Sequence, residues 1–193
     1  MTFSIDGEDG LYVLPKVKVE VSGRSMSEPV DEVALDSMID QVYPKAPFAE
    51  PKFNVRAVLP ERTFIEKIFL LHEEFAKPKE LIRVERMSRH MYDIGQILKT
   101  PIAEKAIHNE LLYRQVVEHR RTFIGLRGFD YDTLYPDSLN IVPPEPVAEQ
   151  WKADYENMRL HMIYGESDSF EELVAKLKCL NDKIKGIRIV PQN

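Results

Sequence analysis

Apolar and polar positions change their rhythm partway along the chain. Val17, Val19 and Val21 alternate with Lys18 and Glu20, a period of two that predicts a strand with one buried face. Leu11 to Leu14 reads as a shorter strand before it, after the turn signal Asp9-Gly10. Ser22-Gly23-Arg24 closes the second strand. Residues 24 to 50 read as loop with a short helical piece near Ala34 to Val42, and Phe53 to Leu59 as a further strand stopped by Pro60.

From Glu61 the period becomes helical. Phe64, Ile68, Leu71 and Phe75 recur on one face of a helix over 61–75, with Pro60 at its start and Pro78 beyond its end. A second helix is expected over 81–98, with Met87, Met91, Ile94 and Leu98 inward. A third runs from about Ile102 to Phe123 and carries Leu111, Leu112 and Val116. Residues 124 to 146, rich in Gly, Asp, Tyr and Pro, read as loop. A fourth helix, 147–164, turns Trp151, Tyr155, Met158 and Met162 inward. A fifth starts at Ser167 or Ser169, with Phe170, Leu173, Leu177 and Leu180 as its apolar set. Strands first and helices after is the order of an α+β fold: a small sheet followed by a helical bundle. The division expected is an α/β portion over 1–75 and a helical domain over 76–193.

The chain has 193 residues and a net charge of -6, with 44% apolar and 30% charged residues. A core without disulfides is within reach at that length. A single cysteine, Cys179, excludes a disulfide framework and a cysteine-rich zinc site, and reads as a buried structural thiol. No apolar run long enough to span a membrane and no signal-peptide pattern is present, so a cytoplasmic location is the default expectation. Residues 1–60 hold six basic and ten acidic residues, whereas 61–127 hold thirteen basic and ten acidic. Arg114, Arg120, Arg121 and Arg127 are the best candidates for a nucleic-acid-binding patch, against the alternative of a solvated, ion-paired helix face.

Three groups of residues could carry chemistry. Arg62 and Glu66 lie four apart on one helix, and Lys67 follows directly. A lysine here either joins a surface ion-pair network or neutralises charge on a triphosphate. In RVERMSRHMYDIGQIL, Arg86, His90 and Asp93 form one stripe, and Arg89 is also four from Asp93. That is either a lattice orienting a carboxylate or surface pairing. Glu20 is a strand carboxylate of the kind that holds Mg2+, although one alone is too few. Asp6 and Glu8 have D-x-D spacing but sit in the turn-like SIDGEDG.

The sequence PERTFIEKIFLLHEEF followed by RMSRHMYDIGQIL resembles the paired late motifs of the AbiEii/AbiGii family of nucleotidyltransferase toxins, associated with abortive phage infection and type IV toxin–antitoxin systems. VKVEVSGR and WKADYENMRLHMIYGESDSFEEL also resemble members of that family, and the likeness runs roughly over residues 5 to 185. It implies a nucleotidyltransferase fold with a C-terminal helical domain, and transfer of a nucleoside monophosphate from an NTP, with Mg2+, onto an acceptor such as tRNA. Carried onto this chain, Lys67 matches the lysine that approaches the triphosphate, with Glu66 before it and Arg62 one turn earlier. Asp93 matches the aspartate of the tyrosine-aspartate-leucine motif, with Ile94 in place of leucine. His90 stands where many members have an aspartate, and Glu20 matches a strand residue near the active edge of the sheet.

The glycine-glycine-threonine loop and D-x-D strand that open full-length members are absent. The chain is therefore expected to resemble only the C-terminal two-thirds of such an enzyme, and to be inactive in isolation. Its partners would be an antitoxin or a separately encoded N-terminal half, with tRNA and a homo-oligomer as further possibilities. The alternative is a non-catalytic interaction module of the same fold. A catalytic reading requires Glu66, Lys67, His90 and Asp93 to converge. A remnant would bond those groups mainly to one another.

Overall fold

The computed structural model describes Val19 and residues 29–191. The strand expectations over 11–14 and 17–21, and with them Asp6, Glu8 and Glu20, lie outside the described residues. The order that follows is β1 (Val30–Leu35), α1 (Met38–Val42), β2 (Phe53–Val58), α2 (Pro60–Phe75), α3 (Ser88–Ile97), α4 (Ile102–His108), α5 (Glu110–His119), α6 (Glu145–Met162) and α7 (Phe170–Lys185). This is an α+β arrangement.

Among the described residues the sheet is a two-stranded antiparallel pair, running from Val30 opposite Val58 to Leu35 opposite Phe53. β2 falls where the alternation placed it. β1 replaces the expected loop, because its acidic pair Asp31-Glu32 interrupts the apolar rhythm and only pairing with β2 reveals it as a strand. Leu35 and Phe53 face each other and both stay exposed.

The core sits in the helices. On α2, Phe64, Ile65, Ile68, Phe69, Leu71 and Phe75 are buried, each contributing about 1.5–3 kcal/mol by leaving water. α2 packs against α3, α4 and α5, while α3 packs against α6 and α7. The α3–α7 approach is close: a Cβ on Gly95 would lie 2.6 Å from the Cδ1 of Leu173, so a larger residue there would force the Leu173 side chain to move. α7 opens with a capping box between Ser169 and Glu172. Leu173, Leu177 and Leu180 point inward as expected, whereas Cys179 is exposed rather than buried. It lies about 100° around the helix from Leu180, off the apolar face.

Two expected helices are shorter than their apolar periods. The third divides at Asn109, whose side chain accepts from the backbone N–H of Leu112 at 3.0 Å and caps α5 after α4 has ended. Leu111 is consequently exposed, while Leu112 and Val116 are buried. The second begins only at Ser88, because two carboxylates from other helices capture the backbone ahead of it. Glu74 on α2 accepts from the N–H of Arg83 at 2.7 Å, and Asp154 on α6 accepts from those of Arg86 at 2.7 Å and Ser88 at 3.0 Å. Arg86 turns through a left-handed conformation, φ 58°, between them.

Residues 126–144 are not a solvated loop. Tyr131, Leu134, Tyr135, Leu139 and Ile141 are buried, and the backbone groups that accompany them find side-chain partners. The Tyr113 hydroxyl donates to the carbonyl of Leu134 at 2.6 Å, and Asn181 accepts from the N–H of Ile141 at 3.1 Å. His72 Nδ1 accepts from the N–H of Asn140 at 2.9 Å. No helix among the described residues is long and apolar enough to cross a membrane.

Candidate functional site

The junction of α2 and α3 is where most of the candidate residues meet. The buried face of α2, set by Phe64, Ile68 and Leu71, leaves Arg62, Glu66 and Lys67 along its flank toward α3. On α3, His90 and Asp93 are three apart and share a face. The Lys67 ammonium donates across the junction to Asp93 Oδ2 at 2.7 Å, with the two side chains 22% and 40% exposed. One turn earlier on α2, the Arg62 guanidinium donates to Glu66 Oε1 at 3.0 Å through Nε, and Nη2 lies 3.0 Å from the same oxygen. Arg62 is itself buried.

His90 supplies an unusual group. Burial first, and then the positive charges of Lys67 and Arg89, pull its imidazole down to about 4, although Asp93 opposes them. It is therefore neutral near pH 7. Its Nδ1 is buried and has no hydrogen-bond partner among the described residues. A buried polar atom left unsatisfied costs about 1–3 kcal/mol.

The arrangement places a partly exposed cation, its carboxylate partner and a neutral imidazole on two adjoining helices. That suits binding of an anion: Lys67 can exchange Asp93 for a phosphate oxygen at little cost, since a part-exposed pair contributes only about 0–1 kcal/mol. The donor set is not one for Mg2+. No group of three or more His, Cys, Asp or Glu side chains able to hold a metal occurs among the described residues. Glu66 and Asp93 are each already tied to a cation. The stripe expected within the second helix is divided, because Arg86 precedes α3 and Asp93 turns to Lys67 rather than to Arg89.

The four arginines of the basic segment lie apart from this cluster and have different surroundings. Arg114 bonds Glu110 on its own helix at 2.7 Å and the carbonyl of Val190. Arg120 holds the buried Glu73 carboxylate, with Nε to Oε1 at 2.6 Å. Arg121 bonds Asp132 at 2.7 Å and Glu118 at 3.3 Å. Arg127 is exposed beside a surface cavity.

Glu74 and Asp154 hold the approach to α3 and so set where His90 and Asp93 stand; the sequence places Glu74 seven residues from Lys67, close to the same stripe of an intrahelical ion-pair network, and does not single out Asp154. Glu74 looks like one of several acidic residues near the end of α2, and Asp154 like a solvent-facing residue of α6. The one available signal is that Asp154 lies next to the buried Tyr155.

A family described as "Nucleotidyl transferase AbiEii toxin, Type IV TA system" matches residues 1–176. No curated protein and no solved structure matches. The family match begins at residue 1, which corrects the expectation of a likeness to the C-terminal two-thirds only. The N-terminal segment is itself part of the match.

Proposed function

The chain belongs to the AbiEii family of nucleotidyl transferase toxins of type IV toxin–antitoxin systems, and from that premise we propose that the α2–α3 junction receives the phosphates of a nucleoside triphosphate. The observation that carries this is the Lys67–Asp93 bridge across the two helices at 2.7 Å. In nucleotidyl transfer an acceptor hydroxyl attacks the α-phosphorus, the bond to the β-phosphate oxygen breaks, and pyrophosphate leaves. Negative charge grows on the phosphate oxygens and the leaving group. A fixed cation beside them lowers the barrier.

In this reading Lys67 meets the phosphates and Asp93 holds its ammonium in place until they arrive. Arg62 and Glu66, paired with each other, fix the first turns of α2. Neutral His90 offers a hydrogen bond to the nucleotide or to the acceptor hydroxyl without adding charge. Mg2+ would serve such a reaction by neutralising the triphosphate, but the donors among the described residues do not fit it. The acceptor is an RNA hydroxyl, tRNA being the one the sequence resemblance implies. The family's toxin–antitoxin setting supplies a protein partner.

A second reading has its own support. Lys67 with Asp93, and Arg62 with Glu66, are bonded to one another, as a non-catalytic interaction module would have them. Calorimetric titration with each ribonucleoside triphosphate, with and without Mg2+, separates the two. Saturable binding that Lys67→Ala weakens by roughly tenfold or more, the scale of one charge-assisted contact, supports the nucleotide site. Absence of binding at millimolar nucleotide, by a protein folded as judged by circular dichroism, leaves the interaction module.

A further inference from the structure

At the far end of α2 from its N-terminal Arg62–Glu66 pair lies a cavity of about 420 Å³. The C-terminal end of the helix, the turn after it and residues 126–129 enclose it. Pro78, Leu81 and Phe129 give it apolar walls, and Lys77 and Arg127 are its cations.

Its electrostatics depend on two carboxylates that are already satisfied. Glu74, buried, accepts from the Arg83 N–H, Nε and Nη2 at 2.7, 2.9 and 2.7 Å, and from Lys77 at 2.8 Å. Glu73, also buried, is held by Arg120. Arg127 is exposed and has no carboxylate partner among the described residues. Lys77 and Arg127 line the cavity together with one carboxylate, Glu73, which Arg120 neutralises. The two lining cations suit a phosphate monoester, which carries about -1.5 to -2 at pH 7. The apolar walls suit a flat ring, and the volume falls within the range of about 300–1,000 Å³ for small-ligand sites.

We infer that this cavity binds a nucleoside monophosphate: Arg127 and Lys77 take the phosphate, and the base lies against Leu81 and Phe129. The site is separate from the α2–α3 junction and does not depend on the function proposed for it. Arg127 is the main anchor, because its guanidinium is uncommitted and can bond two phosphate oxygens at once. Lys77 adds charge while remaining shared with Glu74.

The test is titration of the full chain with AMP, followed by amide chemical shifts, with adenosine and inorganic phosphate as separate arms. AMP is expected to shift residues 76–81 and 126–129, and to bind more tightly than either fragment. Arg127→Ala should weaken AMP by roughly tenfold, the loss of one charge-assisted contact. Leu81→Glu should abolish binding by replacing the apolar wall against which the base lies with a negative charge inside the cavity. Both residues are exposed, Leu81 at 64%, so neither variant should unfold the protein. Lys67→Ala should leave AMP binding here unchanged, which keeps this site distinguishable from the triphosphate site. Competition by a 5′-phosphorylated oligonucleotide would identify a strand end as the source of the phosphate, and failure to compete would identify free nucleotide. Absence of these shifts at millimolar AMP would overturn the inference. So would binding that survives Arg127→Ala or vanishes with Lys67→Ala.

Discussion

Asp154 bonds none of Glu66, Lys67, His90 and Asp93, yet its removal should loosen the helix that carries two of them. Its carboxylate accepts from the N–H of Arg86 at 2.7 Å, the N–H of Ser88 at 3.0 Å and the Ser88 hydroxyl at 2.5 Å. It therefore does for α3, from a different helix, what an N-cap residue does from within the chain. Each bond to a charged acceptor contributes about 1.5–3 kcal/mol, and losing an N-cap costs about 0.5–2 kcal/mol. The three are not additive, since they share one carboxylate and the freed N–H groups can regain water. Buried Ser88 regains it least readily. Asp154→Ala should cost about 3 kcal/mol, drawn from those ranges. For a chain of this size that is a fall in Tm of about 6–12 °C. Asp154→Asn keeps one acceptor oxygen in the same place and should lose about half as much. Thermal and urea unfolding followed by far-ultraviolet circular dichroism give the stability change. Triphosphate titration of the folded variant then reports on Lys67 and Asp93. A Tm within about 2 °C of wild type for Asp154→Ala, less than the loss of one such bond should produce, would refute the assignment. So would equal losses for the alanine and asparagine variants.

Other expectations follow from buried polar groups. Burial lowers the pKa of His72, whose Nδ1 accepts from the N–H of Asn140 at 2.9 Å and whose Nε2 lies 3.0 Å from the Thr133 hydroxyl. A lowered folded-state pKa means that its contribution to stability is full above pH 6.5, the ordinary value, and declines as pH falls below it. Imidazole NMR should find His72 titrating below its ordinary value, and protonation at or above that value would contradict the buried acceptor role. Arg120→Ala should destabilise by about 3–5 kcal/mol by leaving the buried Glu73 carboxylate unpaired, and Arg120→Ala with Glu73→Gln should recover part of it. A loss below about 1 kcal/mol in thermal unfolding, the scale of a surface pair, would show Arg120 to be a dispensable surface charge.

Much of the helical part was legible in the sequence because burial of an apolar face imposes a period. Phe64, Ile68 and Leu71 on α2, Met91 and Ile94 on α3, and Leu173, Leu177 and Leu180 on α7 are buried where the spacing placed them. The same spacing put Lys67 on the flank of α2 and set His90 and Asp93 on one face of α3. Asn109 shows the limit of periodicity. The apolar rhythm passes through it unbroken, and only its side-chain cap to Leu112 ends one helix and starts the next.

What tertiary structure alone decided is which charged group meets which. Composition and spacing allowed Arg89 or Arg86 as the partner of Asp93, but packing of α2 on α3 gave it Lys67. Glu74 and Asp154 read locally as surface acids and became the clamps on residues 83–88. Residues 126–144 read as loop and became part of the core, with their backbone polar groups satisfied by His72 and Asn181. Helical burial is a local, repeating demand that each segment expresses by itself. A hydrogen bond between side chains distant in sequence exists only once the helices carrying them have been brought together.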